Sequence, residues 1–153
     1  MTQKIITKES FQIIGIKIKT SNQNAMQDIP QLWNRFYAKD IKNKIPNKLG
    51  EDVFAIYTEY EGNYTKPYSY ILGCTVSSLD SIPDGMTGMT IPSAKYEIFI
   101  VKGKMPDKVV ETWQHIWQPE IDAKRVYKTD FEVYGEKYEN PENSEVEIYI
   151  GIK

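Results

Sequence analysis

The chain of 153 residues is long enough to bury a substantial interior, and its 41% hydrophobic and 26% charged composition is typical of a soluble globular protein. The net charge of −2 excludes a general electrostatic attraction to nucleic acids or to membranes. The N-terminus lacks the apolar core of a signal peptide and no apolar run approaches the ~20 residues of a membrane span, so a cytoplasmic protein is expected.

The first half of the chain predicts a strand, a helix and a hairpin, in that order. Residues 11–19 are β-branched and partly alternating, which predicts a strand. Apolar residues recur at helical spacing over 29–37, which predicts an amphipathic helix. The lysine-rich stretch 39–48 is expected to be a solvated loop. Residues 52–60 and 68–76 then predict two strands joined by a turn.

The second half predicts the same succession of elements. Residues 81–92 contain two prolines and two glycines with little periodicity and are expected to be a connector. A strand over 94–101 precedes a helix whose apolar residues recur over 109–117. Alternating residues at 129–134 and 145–151 predict a closing hairpin. The chain therefore reads β-α-β-β twice.

This succession predicts an internal duplication within one domain that covers residues 1–153. The pseudo-repeats run from about 8–80 and from about 90–153. When one half is aligned on the other, Trp33 falls opposite Trp113, and the remaining aromatic matches follow the order of the elements.

The closing hairpin contains the first candidate site residues. Glu132 and Tyr134 lie on one face of the first strand, and Glu147 and Tyr149 lie on one face of the second. If the apolar faces of the strands coincide, these four residues form one patch. The apolar residues expected on the opposite face, towards the helices, are Phe131, Val133, Ile148 and Ile150.

The patch has two interpretations. It is either a solvated sheet face or a pocket with an acidic floor and aromatic walls, which suits an organic cation. The repeat alignment sets Glu132 against Ala55 and Glu147 against Ser69, so the acidic residues are concentrated in one half of the duplication. This asymmetry favours a pocket between an apolar and an acidic wall.

No cofactor, metal site or catalytic residue is assigned. The single cysteine, Cys74, excludes an internal disulfide and a cysteine-based metal cluster, and its strand context predicts a buried thiol. The single histidine, His115, is expected on the surface of the second helix. The chain has no Gly-x-Ser-x-Gly motif, no metal-ligand spacing and no phosphate-binding glycine loop.

Three segments of the chain resemble a known family. They are Ile-Pro-Ser-Ala-Lys-Tyr at 91–96, Asp-Phe-Glu-Val-Tyr at 130–134 and Glu-Ile-Tyr-Ile-Gly-Ile-Lys at 147–153. With the β-α-β-β repeat, they resemble the GyrI-like small-molecule-binding family, whose module also forms the effector-binding domain of AraC- and MerR-type multidrug-sensing regulators. The resemblance implies an α+β fold, in which a concave antiparallel sheet carries two helices on its convex side and contains a central ligand cleft.

The resemblance also implies which residues bind the ligand. The central glutamate of the family corresponds to Glu132, and the acidic and tyrosine positions of its last strand correspond to Glu147 and Tyr149. Family pockets are lined by aromatic residues from the first helix and the neighbouring strands. The matching candidates here are Trp33, Tyr37 and Tyr57, for which ordinary helix–sheet packing is the alternative.

The expected function is that of a stand-alone binding module for planar or bulky organic cations. The first predicted strand begins near residue 11, which leaves no room for a helix-turn-helix, so direct DNA binding is not expected. One alternative is a hydrolase of reactive small electrophiles, with Glu132 as base or nucleophile and Tyr134 or Tyr149 as acid. Another is a protein-interaction module that acts on a regulator or a topoisomerase-like partner.

Overall fold

The computed structural model describes residues 2–135, 138 and 143–153. This part of the chain contains β1 (Thr2–Lys8), β2 (Phe11–Thr20), α1 (Ala25–Ala38), α2 (Ile41–Lys44), β3 (Val53–Thr58), β4 (Tyr68–Val76), β5 (Thr87–Ile91), β6 (Ala94–Gly103), α3 (Asp107–Ile116), α4 (Pro119–Asp122), β7 (Arg125–Tyr134) and β8 (Ser144–Ile152). The predicted β-α-β-β order occurs as β2-α1-β3-β4 and again as β6-α3-β7-β8. None of the helices in these ranges is long and apolar enough to span a membrane.

All the named strands join a single antiparallel sheet. Their order is β1-β6-β8-β7-β3-β4-β2-β5. The two halves of the chain meet where β3 pairs with β7, so both strands lie at the centre of the sheet. The predicted α+β class with an antiparallel sheet is confirmed.

Both edge strands of the sheet were missed by the sequence patterns. β5 falls inside the stretch predicted to be a connector and pairs only with β2, while β1 pairs only with β6. A short helix, α2, occurs in the predicted lysine-rich loop, where Ile41 and Ile45 are buried. Each of these short segments is stabilised by non-local partners, and none has a strong periodic pattern of its own.

The two long helices lie on the same face of the sheet. α1 buries Leu32 and Phe36 against β2 and β4, and α3 buries Trp113 and Ile116 against β6 and β8. One row of paired residues crosses this face, and it consists of Phe99, Ile148, Glu132, Ala55, Leu72 and Ile16. The prediction that both helices lie on one side is confirmed. The prediction that Glu132 faces away from the helices, on which the sequence-based argument for an acidic pocket depended, is wrong, because Trp113 on α3 donates to its carboxylate.

The predicted arrangement of the closing hairpin is therefore wrong. Glu132 lies opposite Ile148, and Val133 lies opposite Glu147. Phe131 and Val133 consequently point away from the helices, towards a separate apolar cluster on the other face. A shift of one residue in register moves every side chain of a strand to the opposite face, and here both faces of the sheet are apolar enough to allow either choice.

The face without helices is the concave one. Phe11 on β2 and Phe131 on β7 have ring centroids 5.4 Å apart, although two strands separate β2 from β7. In a flat sheet three strand spacings would separate these residues by roughly 14 Å. Tyr96 also contacts the Phe131 ring, with a centroid distance of 5.2 Å. Side chains therefore fill the concavity, and the helices lie on the convex side, as the family resemblance implied.

Candidate functional site

Glu132 lies at the centre of the helix-bearing face with its carboxylate enclosed. Only 2% of the residue is exposed. Trp113 Nε1 and Tyr57 OH donate hydrogen bonds to Oε2 at 2.6 and 2.9 Å, and Tyr134 OH donates to Oε1 at 2.6 Å. The donors come from α3, β3 and β7 itself, so both halves of the chain hold this one carboxylate.

The titration of this cluster is governed by burial. Desolvation raises the pKa of Glu132, and the hydrogen bonds from Tyr134, Trp113 and Tyr57 oppose that rise because they stabilise the ionised form. Burial, followed by the charge of Glu132, raises the pKa of Tyr57 and of Tyr134 well above the usual range. Both phenols therefore remain protonated donors at any physiological pH.

Aromatic rings surround the carboxylate and its donors. The Tyr57 ring lies 4.9 Å from the Trp113 ring and 5.0 Å from the Tyr70 ring. Trp33 on α1 donates from Nε1 to Tyr70 OH at 2.9 Å, and its ring meets the Tyr134 ring edge-on at 4.9 Å. The two helices thus each contribute one tryptophan to a continuous aromatic layer above the sheet.

A cleft of about 330 Å³ opens between α1 and α3 next to this layer. Its lining residues are Asn22, Ala25, Met26, Ile29, Tyr57, Tyr60, Tyr64, Tyr68, Val110, Trp113, Gln114, Trp117 and Arg125. Tyr57 and Trp113 line the cleft and also donate to Glu132, so the carboxylate lies behind the wall that these two rings form. The volume is within the range typical of small-molecule sites.

The mouth of the cleft is apolar and aromatic. Met26 on α1 and Val110 on α3 are both exposed although they are hydrophobic. The rings of Tyr64 and Trp117 are nearly parallel, with centroids 6.2 Å apart. The part of the cleft formed by these four side chains is therefore hydrocarbon and aromatic ring.

Arg125, which lines the cleft, belongs to a buried ion pair. Arg125 is 5% exposed and donates from Nη2 to Asp130 Oδ2 at 2.7 Å. Asp130 also accepts hydrogen bonds from Tyr60 OH at 2.5 Å and from the backbone N–H of Gly151 at 2.8 Å. Burial lowers the pKa of Arg125, but Asp130, Tyr60 and Tyr127 together raise it by more, so the guanidinium stays charged.

Four of the sequence-predicted residues come together, namely Glu132, Tyr134, Tyr57 and Trp33. Tyr37 stands apart because it is 60% exposed on the outer side of α1, where its ring contacts the Trp33 ring at 5.9 Å. Ile29, at the start of the apolar pattern over 29–37, is half-buried and lines the cleft.

Glu147 and Tyr149 do not join the site. They lie on the concave face, where Tyr149 stacks on Phe131 with ring centroids 4.4 Å apart and donates to Glu147 Oε1 at 3.1 Å. The prediction that they share a patch with Glu132 is wrong, because the register places Ile148 beside Glu132. Glu59, in the first half of the chain, forms an ion pair with Lys17 at 2.6 Å.

Several residues of the site were not predicted. Trp113 is not among the site residues that the sequence predicts, although its alignment with Trp33 in the internal repeat is a signal that could have identified it. No comparable sequence pattern indicated Arg125 or Asp130, because Asp130 accepts its hydrogen bond from Tyr60, seventy positions away. Cys74 and His115 lie where the sequence placed them, buried and exposed respectively, and burial raises the pKa of the Cys74 thiol to about 11.

Comparison with known proteins extends over almost the whole chain. The family model described as "Cass2: Integron-associated effector binding protein" matches residues 4–152. The transcriptional regulator BrlR of Pseudomonas aeruginosa is 27% identical over 158 residues, which cover 99% of this chain and 56% of BrlR. This chain therefore spans only about half the length of that regulator.

Solved structures share the fold. The integron cassette protein VCH_CASS2 from the mobile metagenome of Vibrio cholerae has a TM-score of 0.73 and 28% sequence identity, over 99% of this chain and 95% of that one. The structure of SAV2435 bound to tetraphenylphosphonium has a TM-score of 0.85 and 22% identity, over 100% of this chain and 94% of that one. Together with the match to the family model, these structures confirm the resemblance to effector-binding proteins that the three sequence segments indicated.

Proposed function

Because the chain belongs to the Cass2 family of integron-associated effector binding proteins, we propose that it binds small aromatic cations in the cleft between α1 and α3. The buried carboxylate of Glu132 supplies the counter-charge, and the rings of Tyr57 and Trp113 form the contact surface. Such a protein acts by binding its ligand and requires neither a cofactor nor a metal ion.

One observation carries the proposal: the same two side chains line the cleft and donate to Glu132. A donor that is hydrogen-bonded to a carboxylate is polarised, and its ring face becomes more electron-rich. The faces of Tyr57 and Trp113 therefore present the negative charge of Glu132 to the cleft. Cation–π contact with such faces is stronger in a desolvated site than at the surface.

The enclosure of Glu132 also favours binding of cations over neutral molecules. Burial makes the ionised carboxylate costly, and a cation in the cleft offsets part of that cost, whereas a neutral ligand of the same shape does not. The fold itself is compatible with such a ligand, because SAV2435, which shares it, was solved with tetraphenylphosphonium bound.

The hydrolase alternative is less well supported by the geometry. A general base or nucleophile needs a free lone pair directed at the substrate, yet Glu132 accepts three hydrogen bonds and lies behind the cleft wall. Those hydrogen bonds stabilise the ionised form and oppose the rise in the pKa of Glu132 that burial causes. The arrangement suits a fixed counter-charge better than a group that must take up a proton or attack a substrate.

The test compares two ligands of the same shape that differ in charge. One is a naphthalene that carries a trimethylammonio group, and the other carries the isosteric tert-butyl group. Calorimetric titration of the protein at neutral pH should show the cation binding at least about tenfold more tightly, which corresponds to one cation–π contact in a partly desolvated site. Equal affinities would show that shape, and not charge, governs binding.

A further inference from the structure

Trp113 contacts a carboxylate and a guanidinium at the same time. Its Nε1 donates to Glu132 at 2.6 Å, and its ring centroid lies 5.8 Å from the Cζ of Arg125. Arg125 also packs over the Tyr127 ring at 4.2 Å. Both Trp113 and Arg125 line the cleft, so a ligand over the indole is close to two groups of opposite charge.

The donors of Arg125 are only partly used. Nη2 donates to Asp130, and Nη1 donates to Tyr127 OH at 3.1 Å, but the buried Nε has no hydrogen-bond partner among residues 2–135, 138 and 143–153. A buried donor on a charged group is strongly disfavoured when it lacks an acceptor. Asp130 already provides the counter-charge of the guanidinium, so this end of the cleft lacks an acceptor and not a negative charge.

We propose that Arg125 forms a second ligand subsite, which takes a neutral hydrogen-bond acceptor such as a ketone, amide or ether oxygen. The inference rests on the proposed function, since it assigns the other end of the same cleft. The preferred ligands are then aromatic cations that carry a neutral acceptor away from their positive charge. A ligand carboxylate gains nothing over a ketone, because Asp130, 2.7 Å from the guanidinium, repels it.

A purely structural role for Arg125 explains less of the geometry. The contacts of its Nη atoms hold β7 across the irregularity between Arg125 and Asp130, where the pairing with β8 shifts. That role uses Nη1 and Nη2 and leaves Nε without a function. It also does not account for the position of the side chain in the cleft wall.

The test uses four naphthalenes that vary charge and acceptor independently. One end carries trimethylammonio or its isostere tert-butyl, and the other end carries acetyl or its isostere isopropenyl. With the wild-type chain, the acetyl compounds should bind about tenfold more tightly than the isopropenyl compounds in both charge series, as expected for a hydrogen bond to a charged donor. Equal affinities of acetyl and isopropenyl would overturn the subsite.

The two proposals fail separately in this design. Loss of the charge effect with retention of the acetyl effect would refute the cation proposal and leave the subsite in place. Loss of the acetyl effect alone would refute the subsite. Failure of all four compounds to bind would refute both.

Arg125→Lys keeps the positive charge beside Asp130 and removes the Nε–H, so it should abolish the acetyl advantage, measured as the ratio of the acetyl and isopropenyl affinities within the variant. Arg35→Lys on the exposed part of α1 is the matched control and should keep the advantage. If Arg125→Lys does not fold, Arg125→Met with Asp130→Leu removes both charges together and tests the same loss. An acetyl advantage that survives in these variants would overturn the proposal.

A spectroscopic readout distinguishes direct contact from a structural effect. The chain contains two arginines, so its arginine Nε–H spectrum has two signals. Binding of the acetyl cation should shift the Arg125 signal and leave that of Arg35 in place, whereas the isopropenyl cation should shift the Arg125 signal much less. Identical shifts with both ligands would contradict a hydrogen bond to Nε.

Discussion

Replacing Glu132 with glutamine removes the proposed counter-charge and keeps the shape of the site. A cation over the Trp113 or Tyr57 ring lies within about 6 Å of the ring centroid. Since Trp113 Nε1 is 2.6 Å from Oε2, the cation is roughly 6 to 8 Å from the carboxylate. At an effective dielectric constant of about 20, two unit charges at that distance attract by about 2 to 3 kcal/mol. Glu132→Gln should therefore weaken a cation roughly 30- to 150-fold in Kd.

The same substitution should remove a pH dependence. Burial raises the pKa of Glu132 in the free protein, and only the ionised form provides the counter-charge. Cation affinity of the wild type should therefore fall as the pH drops through that raised pKa, whereas the affinity of Glu132→Gln should stay constant. The neutral tert-butyl isostere should bind both proteins equally or prefer the variant, which spares it the desolvation of a charge.

The assay is a fluorescence or calorimetric titration of the cation and its isostere between about pH 5 and pH 8. Glu147→Gln is the matched control, since Glu147 lies on the same hairpin but on the concave face, and it should bind the cation like the wild type. If the cation binds the wild type and Glu132→Gln equally across this range, the carboxylate is not the recognition element and the reasoning fails.

Three further predictions concern the donors, the stability and the sheet. Tyr57→Phe keeps the ring but removes one hydrogen bond that lowers the pKa of Glu132. In the same titration, the pH below which cation affinity falls should therefore be higher than in the wild type. An unchanged midpoint of the affinity-against-pH curve would contradict this prediction. Folding raises the pKa of Glu132, so its contribution to stability is present below about pH 4.5 and is lost as the pH rises through the folded-state pKa. Urea unfolding at about pH 5 and pH 7.5 should therefore show the wild type losing stability relative to Glu132→Gln. A difference in unfolding free energy between the two proteins that is the same at both pH values would contradict this prediction. Gly15→Ala would place a Cβ 2.0 Å from the carbonyl oxygen of Leu72 and should cost about 3 kcal/mol of unfolding free energy, whereas Gly50→Ala, with nothing within 4 Å, should cost little; similar losses in urea melts would refute the steric argument.

The local elements followed closely from the sequence. The strand predicted over 68–76 coincides with β4 (Tyr68–Val76), and the helix around 109–117 corresponds to α3 (Asp107–Ile116). These elements have strong period-2 or period-3.6 patterns, which are properties of neighbouring residues. The edge strands β1 and β5 lack such patterns and exist because a partner strand supplies their hydrogen bonds.

The candidate site was predictable only in part. The assignment of Glu132 as a candidate ligand-binding residue came from the family resemblance, and its proximity to Tyr57 follows from the pairing of β3 with β7 in the core of the fold. The Arg125 end of the cleft depends on contacts with Asp130 and Tyr60 that join distant segments. A local sequence pattern cannot predict a contact between segments that are distant in the chain.

The sequence by itself determined which residues of each strand share a face, because side chains alternate along any strand. It placed Glu132 with Tyr134 and Glu147 with Tyr149, and the structure keeps both pairs. Only the tertiary structure decided that these pairs lie on opposite faces of the sheet, because β8 is in the register that puts Ile148 beside Glu132. Register is a property of two strands and of what covers each face. Here the helices cover one face of the sheet, and apolar side chains fill the concave side of the other. The alternation of side chains alone therefore could not determine which set of residues lies on which face.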